Sequence, residues 1–352
     1  MSEDQLKKHR DSIDSIDLEI LELVNRRAEH ARAIGHLKNG TIYRPEREAQ
    51  ILRRLKERNR GPLSGNAIES VFVEVISACR ALEDGLKIAY LGPEGTFSQQ
   101  AALKHFGHGA KTEPCSSIDE IFRAVESGHC NYAVVPVENT TGGSIPRTLD
   151  LLLKSPLKVC SEVLLRVHQN LMGIDREKVL RVYSHPQSLA QCHEWLNANL
   201  PGIPRIEVSS NAEAARLASL DETSCAIAGE AAAEAYGLVI FTANIEDEPD
   251  NTTRFLVLAN EDSAPSGRDK TSIAFSAKNR PGAIHELLAP FAEHGVSMTR
   301  LESRPAGTGL WEYAFFADIE GHRSDPEVAK ALSELDSRAS FLKIFGSYPE
   351  AR

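Results

Sequence analysis

The chain has 352 residues, 41% of them hydrophobic and 26% charged, which suits two or three soluble globular domains with ample core. Its net charge of −10 argues against general nucleic-acid affinity, and no apolar stretch approaches the length of a membrane-spanning helix. The opening MSEDQLKKHRDS lacks an apolar secretory core and the six cysteines form no CxxC pair, so a cytoplasmic protein with reduced thiols and no zinc knuckle is expected.

The first predicted element is a long helix from about Asp4 to about Asn39. Its stripe runs Ile13, Ile16, Ile20, Leu23, Arg27, His30, Ile34 and Leu37, an a/d heptad spacing that is apolar at both ends and cationic in the middle. A polar a-position residue that fixes coiled-coil register is one explanation for Arg27. Other cations favour a second. Arg10 and Lys38 lie beside the seam, and Arg47 with Glu48 opens another helical run after Pro45. Buried cations need an anion, so a converging set points to a small polyanionic ligand. Arg10 and Arg27 are roughly 25 Å apart along one helix, too far for both to reach one metabolite within a chain. Sharing a ligand therefore requires two subunits, and the spacing predicts a dimer of interleaved helices. Met1 to Gly85 carries 15 Lys and Arg against 15 Asp and Glu, so the remaining chain holds all the excess acid.

Helical runs at 45–59 and 65–82 complete this segment. It resembles the all-helical chorismate mutase family, whose opening Arg, then Ile and Asp, is matched by RDSIDSID and whose RE after a proline is matched by Arg47 and Glu48. The resemblance implies that Arg10, Arg27, Lys38 and Arg47 hold the carboxylates and ether oxygen of chorismate, that Glu48 binds its hydroxyl, and that Arg10 comes from the neighbouring chain. The reaction is a pericyclic rearrangement, so folding the substrate and stabilising charge on the ether oxygen suffice. Cys79 and Glu83 depart from a common form of the family, which has serine and glutamine there.

After Leu86 short apolar runs alternate with amphipathic helices, the pattern of an α/β sandwich. The predicted strands are KIAYLG, YAVVPVEN, VLRVYSH, IEVSS, CAIAG and TRFLVLA. GPEGTFSQQAALKHF is a Gly-rich turn opening a helix, a suitable anion cradle, and no dinucleotide fingerprint occurs. Polar clusters follow several strands, where α/β proteins place ligands, although capping and turn formation account for Ser184 and Asn251 taken singly. In order, YLGPEGTFS, VPVEN, GGS with TLDLL, YSHPQSLAQC and NTTRF resemble prephenate dehydratase. The resemblance implies loss of hydroxide and carbon dioxide from prephenate in a two-lobed α/β domain, with no metal or other cofactor. It makes Thr253 the leading catalytic group, with Arg254, Phe255, Glu138, Asn139, Ser184, Gln191 and Thr96 in the site. Thr253 is a poor acid, which leaves a hydrogen-bond relay and simple orientation both open. Arg254 suits a substrate carboxylate or a structural acid equally.

The order βαββαβ follows Lys270, an α+β ferredoxin-like module. With RPGAI at 280–284 and ESRP at 302–305 it resembles an ACT domain that senses phenylalanine. By that resemblance Gly282, Ala283 and Ile284 line one wall of an effector site and Glu302 with Ser303 the other, at an interface between two such domains. The expected chain is thus multidomain: 1–85 the helical mutase, 86–262 the dehydratase, and 270–352 the regulatory domain. It acts on chorismate and prephenate, responds to phenylalanine, and forms a homodimer or higher homo-oligomer. A catalytically silent amino-acid sensor and a mutase joined to an NAD-dependent dehydrogenase are the competing readings.

Glu83 generates a pH prediction. A glutamate donates a hydrogen bond to the ether oxygen only when protonated, and its unperturbed pKa lies near 4.3. Mutase rate is expected to rise toward acid pH, and a flat rate from mildly acidic to mildly alkaline solution would refute this role for Glu83.

Overall fold

A computed structural model describes residues 3–37, 43–82, 85–277, 280–305 and 313–351. The chain forms two compact units. One comprises Met1–Arg44, Ile51–Leu86 and Phe106–Lys111; the other comprises Pro45–Gln50, Lys87–His105 and Thr112–Arg352.

The first unit is built on α1 (Glu3–Leu37), most of α2 (Pro45–Arg58) and α3 (Gly65–Arg80). Pro45 begins α2, where its missing N–H costs nothing, and Ser64 caps α3 by accepting from the Ala67 amide. Helix α1 packs along α3, yet Ile13, Ile16, Ile20 and Leu23 are each more than half exposed. One chain leaves the seam bare. Arg80, buried in this unit, donates to the Phe106 carbonyl and lies over the Tyr43 and Phe106 rings.

The second unit contains three sheets. The strands β1 (Lys87–Leu91), β2 (Lys111–Cys115), β3 (Tyr132–Asn139), β4 (Gly143–Ser144), β5 (Lys158–Arg166) and β11 (Thr252–Ala259) form the first, in the order β2-β1-β3-β11-β5 with β4 paired to β3. Helices α4 (Phe97–Phe106), α5 (Ile118–Glu126) and α6 (Pro146–Lys154) belong to this lobe. The chain then crosses to a second sheet, β10-β6-β9-β7-β8, made of β6 (Asn170–Gly173), β7 (Arg181–Ser184), β8 (Arg205–Glu207), β9 (Ser224–Ala228) and β10 (Val239–Thr242). Its helices are α7 (Pro186–Gln191), α8 (His193–Asn199), α9 (Asn211–Ala218) and α10 (Glu230–Tyr236). Ser117 and Ser210 cap α5 and α9, each followed three residues later by a glutamate whose amide they receive. Strand β11 returns the chain to the first sheet, and this double crossing makes two lobes.

The third sheet has β12 (Asp269–Ser276), β13 (Met298–Pro305), β14 (Tyr313–Glu320) and β15 (Phe341–Pro349) in the antiparallel order β13-β14-β12-β15, with α11 (Ala283–Glu293) and α12 (Pro326–Arg338). This is the expected ferredoxin-like arrangement. It shares a core with the first sheet: Val135, Val137, Leu256 and Leu258 pack with Ala274, Phe316, Phe345 and Tyr348. Gly346 permits the close approach of β15 to β5, since a Cβ there would collide with the Val159 carbonyl.

Arg254 lies in this shared interface. It donates to Glu162 Oε2 (2.7 Å), to Asp318 and to the Tyr348 hydroxyl (2.9 Å), while Lys270 Nζ holds the other oxygen of Glu162 (2.8 Å). Burial opposes the Asp318 charge, but the adjacent Arg254 guanidinium outweighs it and holds the carboxyl below its ordinary range. The stabilisation linked to Asp318 is therefore present at neutral pH and lost only as pH falls below the usual carboxylate range. These contacts correct one of the two alternatives for Arg254: its partners are structural acids. Arg254→Met strands buried Asp318 and leaves Glu162 with Lys270 as its one cation among the described residues, and is expected to lower unfolding stability by about 3–5 kcal/mol in urea titration. Unchanged stability with a raised KM would return Arg254 to substrate binding.

Candidate active site

Between the two lobes of the second unit lies a cleft of about 720 Å³, a volume suited to a small metabolite. Helices α4, α7 and α9 all begin at it, through Thr96–Ser98, His185–Ser188 and Ser210–Asn211. Thr96 secures the first of these starts by donating to the Leu91 carbonyl (2.8 Å) and accepting from the Gln99 amide (3.4 Å). Helix starts carry positive partial charge that favours anions, and Glu94, also in the lining, opposes it. No Arg or Lys is among the described residues that line it.

Strand geometry decides which motif residues reach the cleft. Residues paired across a sheet share a face, and β11 pairs Thr253 with Asn139 and Arg254 with Glu138. The register shifts between Arg254 and Phe255, so β3 is bulged at Val137. Val137 and Glu138 both turn toward the third sheet, and Asn139 is re-aimed to the cleft with Thr253. Without the bulge, the alternation of Val135 and Val137 would send Asn139 into the core.

Asn139 Oδ1 accepts from the Thr141 amide (3.1 Å), the Thr141 hydroxyl (2.7 Å) and the Gly142 amide (2.9 Å). Backbone amides only donate, which fixes the orientation of the side chain. Its Nδ2 then donates to Thr253 Oγ1 and to Asn251 Oδ1, both at 2.8 Å. Because the Thr253 oxygen accepts there, its hydroxyl proton is available to the cleft. Gln191 Nε2 donates to Thr141 Oγ1 (2.9 Å) and thereby joins the lobes; its Oε1 accepts from Gln169 (3.2 Å).

The expected dehydratase residues thus separate. Thr96, Asn139, Gln191 and Thr253 line the cleft. Ser184 is fully buried beneath it, its hydroxyl shared between the Ile227 carbonyl and Asn211 Oδ1, so it positions Asn211. Phe255 is buried in the sheet, and Glu138 faces Arg300 (3.0 Å). Glu138, Phe255 and Arg254, expected in the site, are not among the described residues that line the cleft. His185, Gln169, Ser188, Asn211 and Asn251 line the cleft without having been singled out as site residues. His185, Ser188 and Asn251 lie in segments that the polar-cluster argument reached without placing them in the site, whereas Gln169 and Asn211 lie in none of those segments. Burial keeps the His185 pKa below its ordinary value, so its imidazole is neutral at neutral pH, and it pushes the Cys115 thiol up to about 11.

Of the expected mutase residues, Arg10 and Arg27 lie on α1, Arg47 and Glu48 on the first turn of α2, and Cys79 is buried on α3. Lys38 and Glu83 lie outside the described residues. In the third sheet Gly282 adopts a left-handed conformation (φ 79°) before α11, Ala283 is buried and Ile284 is 47% exposed. Glu302 faces the first sheet, where it bonds Ser144 and Arg300, while Ser303 is exposed. Adjacent strand residues point to opposite faces, so Glu302 and Ser303 do not form one wall through their side chains. Away from the cleft, Glu113, His129 and Cys130 bring their ligand atoms within 4.8 Å of one another. Lys87 neutralises Glu113 (3.3 Å) and the Cys130 thiol is pushed up to about 12, mainly by burial, which makes this an ion-pair cluster.

Residues 9–84 match chorismate mutase type II, 88–263 prephenate dehydratase and 271–337 the ACT domain. The chain is 55% identical over 349 residues to a bifunctional chorismate mutase/prephenate dehydratase of Neisseria gonorrhoeae, covering 97% of this chain and 96% of the relative. A solved prephenate dehydratase from Arthrobacter aurescens, in complex with L-Phe, superposes with a TM-score of 0.69 at 30% identity, covering 75% of this chain and 90% of that one. A structure described as a novel type of quorum quenching acylase, GqqA, gives the same TM-score at 31% identity, covering 75% and 98%. The chain belongs to the bifunctional chorismate mutase/prephenate dehydratase family.

Proposed function

We propose that the helical unit rearranges chorismate to prephenate and that the two-lobed cleft converts prephenate to phenylpyruvate, with phenylalanine acting through the ACT module. The observation that carries the second step is the Thr253 hydroxyl, held by Asn139 so that its proton is free for the cleft. In that step the ring C–O bond breaks with its electron pair going to oxygen, which takes a proton and leaves as water. The bond to the ring carboxylate breaks, its pair completes the aromatic ring, and carbon dioxide departs. Thr253 hydrogen-bonds the departing hydroxyl and lowers the cost of its developing charge.

The absence of Arg and Lys from the described lining suits this chemistry. A cation against the departing carboxylate would stabilise the reactant more than a transition state in which that charge is dispersing. Helix starts and neutral donors bind the dianion without that penalty. The mutase has the opposite need, because chorismate keeps both carboxylates, and the cations Arg10, Arg27, Lys38 and Arg47 serve it, with Glu48 at the hydroxyl.

The bare α1 seam supports a homodimer in which a second copy covers Ile13, Ile16, Ile20 and Leu23. Each mutase site then draws on the partner's Arg10. Among the described residues no helix is long and apolar enough to cross a membrane, and a cytoplasmic setting fits a biosynthetic enzyme that needs no secretion.

Purified protein given chorismate alone, without metal or cofactor, is expected to produce phenylpyruvate, identified by mass spectrometry. Arg27→Ala should abolish that conversion while supplied prephenate is still consumed. Chorismate left unchanged by a folded sample would refute the bifunctional assignment, and accumulation of prephenate would refute the dehydratase reading of the cleft, the role of Thr253 included.

Feedback has a physical route through β13. Glu302 and Arg300 bond Ser144, whose neighbour Gly143 pairs with Asn139. Phenylalanine held at Gly282 to Ile284 and β13 would shift this contact and the turn that orients Asn139. Ser144→Ala is expected to raise the phenylalanine concentration for half-inhibition several-fold. Wild-type sensitivity in that variant would eliminate the Ser144 route.

A further inference from the structure

Asn251 precedes β11, is 2% exposed and lines the cleft. Its orientation is set at one remove: the backbone amides of Thr141 and Gly142 fix Asn139, whose Nδ2 donates to Asn251 Oδ1 at 2.8 Å. The oxygen of Asn251 is thereby committed as an acceptor, and its Nδ2 is left as the free end. That buried nitrogen has no hydrogen-bond partner among the described residues. An unsatisfied buried donor is costly, and a native protein retains one where something else completes it.

The position of this donor suggests what completes it. Asn251 and Thr253 both hang from one Asn139 amide group, and each has a hydrogen left to give beside a cleft whose described lining holds Glu94 but no Arg or Lys, so that neutral donors must hold any anionic substrate. We infer that Asn251 is a substrate-binding residue of the dehydratase, its Nδ2 donating to an oxygen of prephenate next to the one served by Thr253. The inference rests on the dehydratase reading of the cleft. It adds a function for the first residue of NTTRF, whose other explanation is turn formation; that role is already met by its backbone, with the Asn251 carbonyl accepting from the Val167 amide at 2.8 Å.

Asn251→Asp separates the two. The carboxylate keeps the acceptor that Asn139 requires but replaces the free donor with a second acceptor. Phenylpyruvate formation from prephenate is expected to fall about 10²-fold in kcat/KM at neutral pH, the scale of losing one donor to a charged centre. It should recover relative to wild type as pH falls toward 5, where a buried aspartic acid regains a proton and can donate again. A structural role would give parallel pH profiles. Thermal melting of both proteins accompanies the kinetics; if the aspartate variant does not fold, Asn251→Ala carries the test and should lose at least tenfold in kcat/KM with its melting transition retained. A kcat/KM within twofold of wild type, or a loss that is parallel at every pH, overturns the inference. Wild-type protein that fails to convert prephenate would instead overturn the dehydratase reading, leaving the two failures distinct.

Discussion

One strand carries the arrangement of the second unit. Successive side chains of β11 point to opposite faces, so Thr253 meets the cleft while Arg254 enters the buried interface with the third sheet. The bulge at Val137 gives β3 the matching phase, pairing Asn139 with Thr253 and Glu138 with Arg254. Arg254, Glu162, Asp318 and Tyr348 then lock the strand from behind. A guanidinium with two buried carboxylates is rigid because losing any member leaves an uncompensated charge. The hydroxyl on the front of the strand inherits that rigidity.

The ACT module is consequently part of the catalytic fold's core. Phe316, Phe345 and Tyr348 fill space against Leu149, Leu152 and Leu256, and Lys343 donates to the carbonyls of Leu153 and Ser155 at the end of α6. The divisions at 262 and 270 mark where the sequence changes character, yet no energetic boundary falls there. Regulation in such an arrangement needs no long pathway: β13 touches the β3–β4 turn directly through Arg300, Glu302 and Ser144. An effector that favours a different position of β13 biases the same turn that orients Asn139.

Much of this fold was legible from sequence because its signals are local. YAVVPVEN coincides with β3, and the βαββαβ order of the last module is observed. Of the missed strands β2, β4, β5, β6 and β10, three have a physical reason. Strand β2 contains Pro114, tolerated because the strand lies at the sheet edge, and β10 is another short edge strand. Strand β5 has Glu162 in the middle of its apolar run, where the residue serves as a counter-ion to an arginine almost a hundred positions away. Faces were harder. Motif matching groups Thr253 with Arg254 and Glu302 with Ser303, although strand alternation parts each pair, and which face meets the cleft depends on a bulge and a partner sheet that local pattern does not reveal. Asn251 was similarly opaque, since its free donor exists only because Asn139 is oriented by a turn more than a hundred residues earlier.

The proposed pair of reactions also explains why one chain would keep two such different sites. Chorismate and prephenate both carry two carboxylates, so affinity alone would favour cations for each. Catalysis imposes a difference. The rearrangement conserves both anions while charge grows on an ether oxygen, and fixed cations stabilise that transition state. Decarboxylation coupled to loss of water removes one carboxylate, so strong pairing with it would deepen the reactant well and slow the step. A cleft of helix starts, hydroxyls and side-chain amides, with Glu94 as its one carboxylate among the described lining, would bind the same molecule while leaving its departing charge weakly held. On this argument the contrast between the arginines of α1 and the uncharged donors around Thr253 follows from the bonds each reaction breaks.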